Sequence, residues 1–149
     1  MIPKVNIYIE TTFKSPSQKS GAAMWVVEYI TSGGEIRTRE GVVEHQQGKE
    51  LQLILKAAAQ AVARLNKVCE ITLHTTCRLV KTAVDQEWVD AWRQQGWKKT
   101  NGAPLLYARE WEQFGIETEK HMLFVDIVPT HSYKEWMKHS LQKRTGESA

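Results

Sequence analysis

Cys69-Glu70-Ile71-Thr72-Leu73-His74-Thr75-Thr76-Cys77 begins a run in which a strand pattern gives way to helical spacing. Its first six residues alternate apolar and polar with period two, the pattern of a short β-strand with one buried face. The strand pattern stops at His74–Cys77, and Leu79, Val80, Ala83 and Val84 then recur at helical spacing. Trp88-Val89-Asp90-Ala91-Trp92-Arg93-Gln94-Gln95-Gly96-Trp97-Lys98-Lys99 follows. Trp88 and Trp92 are one helical turn apart and share a face. Gly96 stands where a helix would stop. The order is strand, helix, tryptophan-bearing helix, basic tail.

The flanking chain extends this pattern in both directions. Val5-Asn6-Ile7-Tyr8-Ile9-Glu10 alternates and predicts a strand that ends on Glu10. A polar loop runs from Phe13 to Gly21, and a second strand is expected over Ala22–Ile30. Thr31-Ser32-Gly33-Gly34 reads as a hairpin turn into a third strand over Glu35–Val43. Leu51, Ile54, Leu55, Ala58, Ala61, Val62 and Leu65 predict a helix over Lys49–Asn66. Beyond the tryptophan helix, Thr100–Pro104 is a loop and Leu106–Phe114 a short amphipathic helix carrying Trp111. Met122–Val128 predicts a buried strand and Tyr133–Gln142 a last helix, with residues 143–149 as a tail. A strand–helix–strand passage implies a crossover to a parallel neighbour. The expectation is one α/β domain over residues 1–142. Its five-stranded mixed sheet has three antiparallel strands, two parallel ones, and helices on both faces.

Composition sets the class. Hydrophobic residues make up 42% of the chain and charged residues 25%, the balance of a globular domain with a sizeable core. The formal charge of +3 permits a nucleic-acid partner without establishing one. Lys81, Arg93, Lys98 and Lys99 gather around the tryptophans, either as a phosphate-contacting patch or as a solvated helix end favoured by the helix dipole. No apolar run is long enough to span a bilayer, and no signal peptide precedes the first strand. Cys69 and Cys77 sit at opposite ends of a strand, too far apart to bridge, and form no CxxC pair. A cytoplasmic protein with reduced thiols is expected.

The element order and the run Cys69–Lys99 resemble a type 1 ribonuclease H. In that family three tryptophans of a basic handle have the spacing of Trp88, Trp92 and Trp97, with a glycine before the third. The resemblance extends through Val5–Thr12, Gln46–Leu51, Pro104–Phe114 and Val125–His131. It implies a nuclease that cuts the RNA strand of an RNA/DNA hybrid. Four carboxylates would hold two Mg²⁺ or Mn²⁺ ions ~4 Å apart.

The resemblance places the family's site on this chain residue by residue. Glu10 takes the place of the first acid, as Glu where the family has Asp, and Thr11 that of the glycine after it. Glu50 takes the second acid's place; as an acid in a first helical turn it also favours the helix dipole. Thr76 replaces the third acid with a neutral hydroxyl. For the fourth acid the nearest candidate is Glu135, although Ser132-Tyr133-Lys134-Glu135 also fits a capping box. The alternative alignment puts Lys138 there, which reverses the charge. His131 resembles the loop histidine that assists product release, without the family's longer glycine-bearing loop. Gln46 and Gln47 lie where the family has an amide pair touching the RNA strand. Arg93, Trp97, Lys98 and Lys99 are the handle's candidates for nucleic-acid contact, and His74 with Cys77 a conceivable nucleophilic pair.

Three readings follow. The first is a hybrid-binding protein with impaired catalysis, in which Glu10 and Glu50 hold Mg²⁺ or Mn²⁺ weakly. The second is an active metal-dependent ribonuclease H using Glu10, Glu50 and Glu135. The third is a protein-interaction scaffold that kept only the fold.

Overall fold

β1 (Lys4–Thr11), β2 (Ser20–Ile30) and β3 (Ile36–Gln47) form an antiparallel meander. In the structure, a computed structural model that describes residues 2–145, they lead into α1 (Glu50–Ala63) and β4 (Glu70–Thr75). Then come α2 (Arg78–Asp85), α3 (Trp88–Gln94), α4 (Ala108–Thr118), β5 (Met122–Ile127) and α5 (Lys134–Thr145). The sheet order is β3-β2-β1-β4-β5, with β4 parallel to both β1 and β5. The expected five-stranded mixed sheet is therefore the observed one.

The alternation in β1 sets the layers. Val5, Ile7 and Ile9 point into the main core, against Leu53, Ile54 and Ala57 of α1 and beside Ile71 and Leu73 of β4. The opposite face carries Tyr8 and is covered by α5, whose Met137 and Leu141 pack on Ala22, Met24 and Val26. β2 is covered on both faces, which is why it reads as a nearly continuous apolar run. α1 buries a stripe rich in alanine, whose small side chains let the helix sit close on the sheet.

Several boundaries differ from those expected, and β5, expected to be buried, is an edge strand with Met122 and Phe124 exposed. β3 continues past Val43 because Gln46 and Gln47 pair with Gly21 and Ser20 beyond a bulge. α4 starts later and runs through Gly115 to Thr118, both buried. α5 includes Lys143 and Arg144, where a tail was expected, and the Arg144 guanidinium pairs with Glu44 on β3. Residues 146–149 of that tail lie outside the described residues. No helix among the described residues is long and apolar enough to cross a membrane.

Candidate active site

Parallel β1 and β4 end side by side, so their C-terminal residues share one crevice. A cleft of about 120 Å³ lies there, and Glu10, Thr11, Glu50, Thr76, Lys134 and Lys138 are among its lining residues. Glu10 is the penultimate residue of β1, and its side chain is only 8% exposed. Glu50 opens α1 and accepts a hydrogen bond from Thr11 Oγ1 at 2.7 Å. Thr76 follows β4 and is exposed.

Glu10 is held by two cationic or hydrogen-donating partners. His131 Nε2 lies 2.8 Å from its Oε2, and the Lys138 ammonium lies 3.5 Å from its Oε1. His131 Nδ1 accepts from the Tyr133 amide at 3.2 Å, so Nε2 carries the ring proton and donates it to Glu10. Lys138 also donates to the Thr11 carbonyl at 2.6 Å, which anchors the ammonium over the end of β1.

Two expectations about α5 change. Glu135 is exposed and is not among the residues lining the cleft. Lys138 faces Glu10 instead, one helical turn beyond Lys134. The helix start is also capped differently: His131 accepts from the Tyr133 amide through its ring and from the Lys134 amide through its carbonyl, in the place expected for Ser132.

These residues do not fit a pair of divalent ions. Mg²⁺ needs charged oxygen ligands near 2.1 Å in octahedral array. Thr76 is neutral, and both Glu10 oxygens face His131 and Lys138. At an effective dielectric of about 20, a +1 and a +2 charge about 4 Å apart repel by roughly 8 kcal/mol, which cancels the attraction of one carboxylate at that distance and leaves the charge of a single acid to hold two ions. No group of three or more His, Cys, Asp or Glu among the described residues could hold a metal ion.

A second network lies on the sheet face beneath α5. Tyr8 stacks on His74 with ring centroids 4.5 Å apart and touches His131 at 4.6 Å. Asn6 donates to Glu28 Oε1 at 3.0 Å, which turns its carbonyl oxygen to His74 Nε2 at 2.9 Å. Tyr133 donates to Glu28 Oε2 at 2.5 Å, and that bond pushes its pKa up to about 12. His74 is thus committed to Asn6 and Tyr8. Burial lowers its pKa and raises that of the Cys77 thiol, so the two do not form an activated pair. Nothing in the local sequence signals this network, because its members come from β1, β2, β4 and the loop before α5.

The handle is compact. Trp92 packs edge-on against Trp111 at 4.9 Å, and Trp97 lies over Gly115 of α4. Gly96 takes a positive φ of 69° just after α3, as its place in the sequence predicts. Trp97 also has a positive φ, of 66°, and its amide donates to the Trp92 carbonyl at 2.7 Å. Arg93 is occupied: it donates to Asp90 at 2.6 Å and to the Gly115 carbonyl at 2.8 Å, and its Nε faces Glu119 at 3.4 Å. Lys98 and Lys99 are exposed. On β3, Gln46 accepts from Lys56 at 2.6 Å, while Gln47 is exposed.

The fold and the crevice at the ends of β1 and β4 define a ribonuclease H-like protein. The sequence model of the RNase H family matches residues 3–137, and the chain belongs to that family. Over 100 residues it is 33% identical to ribonuclease HI of Xylella fastidiosa, covering 67% of this chain and 59% of that protein. Over 105 residues it is 29% identical to ribonuclease H of Thermus thermophilus, covering 70% and 57%. The match thus spans less than two thirds of either relative. Among solved structures, a type 1 RNase H with the type 2 active-site motif superposes with a TM-score of 0.75 at 21% identity, covering 99% of this chain and 75% of that one. A foamy viral protease–reverse transcriptase in complex with RNA/DNA hybrid gives 0.64 at 14% identity, covering 97% and 19%.

Proposed function

We propose that this chain binds RNA/DNA hybrid, or a nucleic acid of similar shape, and hydrolyses it poorly or not at all. The observation that carries the reading is the Lys138 ammonium 3.5 Å from Glu10, with Thr76 in the third acid's place. Two-ion phosphodiester hydrolysis needs negative charge to hold both ions against the attacking and leaving oxygens. Here a cation and a hydroxyl replace two of the four charges. Losing electrostatic stabilisation worth ~4 kcal/mol already slows a reaction about a thousandfold. A single Mg²⁺ or Mn²⁺ near Glu50 is the most that this donor set supports, and only weakly.

Family membership and the exposed Lys98, Lys99 and Gln47 support the binding half. These cations favour nucleic acid over a purely protein-binding scaffold. An active enzyme is the second reading, favoured by Glu10 and Glu50 lining one cleft. The free thiols of Cys69 and Cys77 suit a reducing cytoplasmic setting. Fluorescence anisotropy with a labelled RNA/DNA hybrid, competed by duplex DNA and duplex RNA, tests the binding. Saturable, salt-sensitive binding that hybrid competes best is the expected result. Absence of saturable binding at low salt would overturn it.

A further inference from the structure

We infer that Lys138 is a built-in cation that takes a backbone phosphate of bound nucleic acid in the cleft, so that hybrid binding there needs no divalent metal. This rests on the hybrid-binding reading and deepens it. In a metal-dependent site a cation bridges protein carboxylate and nucleic-acid phosphate. Lys138 has the first half of that bridge: its ammonium faces Glu10 at 3.5 Å and is fixed by the Thr11 carbonyl at 2.6 Å. An ammonium has three donors, so one remains for a further acceptor. The side chain is 39% exposed and lines the cleft, so that donor has access to a ligand.

The surroundings suit a phosphate oxygen. Glu10 is buried and its Oε2 already accepts a hydrogen bond from His131, so that oxygen is occupied before a ligand arrives. Lys134, one turn earlier on α5, lines the same cleft, and the exposed Thr76 adds a neutral hydroxyl donor in place of an acid that would repel phosphate. Glu50 is engaged by Thr11 on the other side. The residues unsuited to two metal ions thus suit one phosphate.

The test is hybrid binding by the full chain in EDTA and in Mg²⁺, for wild type, Lys138→Gln and Lys138→Arg, with each variant's melting temperature recorded. Wild type should bind equally within about twofold in the two buffers. Lys138→Gln should weaken binding by about tenfold. It should also flatten the slope of log K against log salt by ~0.7–0.9, the loss of one phosphate contact. Lys138→Arg keeps the charge and should keep the slope. A folded Lys138→Gln protein with wild-type affinity and slope overturns the inference and leaves hybrid binding standing. So does a tenfold loss of wild-type affinity in EDTA. A wild type that binds no hybrid in either buffer overturns both.

Discussion

The ammonium of Lys138 lies 3.5 Å from Oε1 of Glu10, and His131 Nε2 lies 2.8 Å from its Oε2. The first acid of the cleft is therefore neutralised by the protein itself. The last helix presents Lys138 and not Glu135 to the crevice, so a cation faces Glu10 there.

Metal affinity should follow from this charge. Titration calorimetry of wild type should show at most one Mg²⁺ site, with Kd above about 1 mM. Changing Glu10→Asp, Thr76→Asp and Lys138→Asp together replaces the cation and the hydroxyl with acids. That variant should bind Mg²⁺ or Mn²⁺ at least about tenfold more tightly. Two wild-type sites of ordinary affinity would contradict the assignment of Lys138.

Stability should fall with acid through two histidines. Burial lowers the pKa of His74, partly offset by Asp126 and reinforced by His131. Burial, then Lys120, lowers that of His121, whose Nδ1 accepts from the Cys69 amide at 3.0 Å. With depressed folded-state values the unfolded chain binds more protons. Their contribution is complete above the unfolded histidine value of about 6.5, and falls away as pH drops through the lowered folded values. Melting temperature should therefore decline between about pH 7 and pH 5. His121→Asn keeps an acceptor for Cys69 and should flatten that decline; an unchanged profile would remove His121 from the account.

The contact of Trp97 with Gly115 should resist even one added carbon. A Cβ at Gly115 would lie 2.1 Å from the Trp97 ring. Alanine gains roughly 1 kcal/mol of helix propensity over glycine. The overlap is far inside van der Waals contact, and overpacking costs about 1–3 kcal/mol. Since Trp97 is pinned by its bond to Trp92, the clash should win. Gly115→Ala should lower the urea midpoint, and Gly115→Ala with Trp97→Leu should recover part of the loss. A single variant as stable as wild type would contradict the packing.

The basic residues of the handle should separate by role. Lys98→Ala with Lys99→Ala should weaken hybrid binding and flatten the salt slope by ~0.7–0.9 per lost phosphate contact. Arg93→Ala should instead cost about 1–3 kcal/mol of stability, because it strips the Gly115 carbonyl of its donor and leaves the slope intact. Binding and denaturation measured on both proteins decide this. The reverse pattern would return Arg93 to the interface.

The fold was legible because its signals are local. Alternation in Val5–Glu10 and Cys69–His74, the apolar stripe of α1 and the glycine turn at Gly33–Gly34 each depend on neighbours in sequence. What escaped depends on distant partners. Arg93 reads as a free cation until the Gly115 carbonyl and Glu119 arrive from α4. Glu135 and Lys138 are three residues apart in sequence and compete for one place. Only the packing of Met137 and Leu141 fixes the phase of α5 that turns Lys138 inward. The apparent capping box at Ser132 misled for a related reason: the cap comes from the His131 ring, which Glu10 holds in place.

Cleavage of an RNA/DNA hybrid separates an impaired site from a working nuclease. Wild type and Glu50→Gln, each saturated with labelled hybrid in Mg²⁺ and in Mn²⁺, should be followed for single-turnover hydrolysis. Both should leave the RNA strand intact, or cut it at the same trace rate. Robust wild-type cleavage that Glu50→Gln abolishes would contradict this and identify a working nuclease.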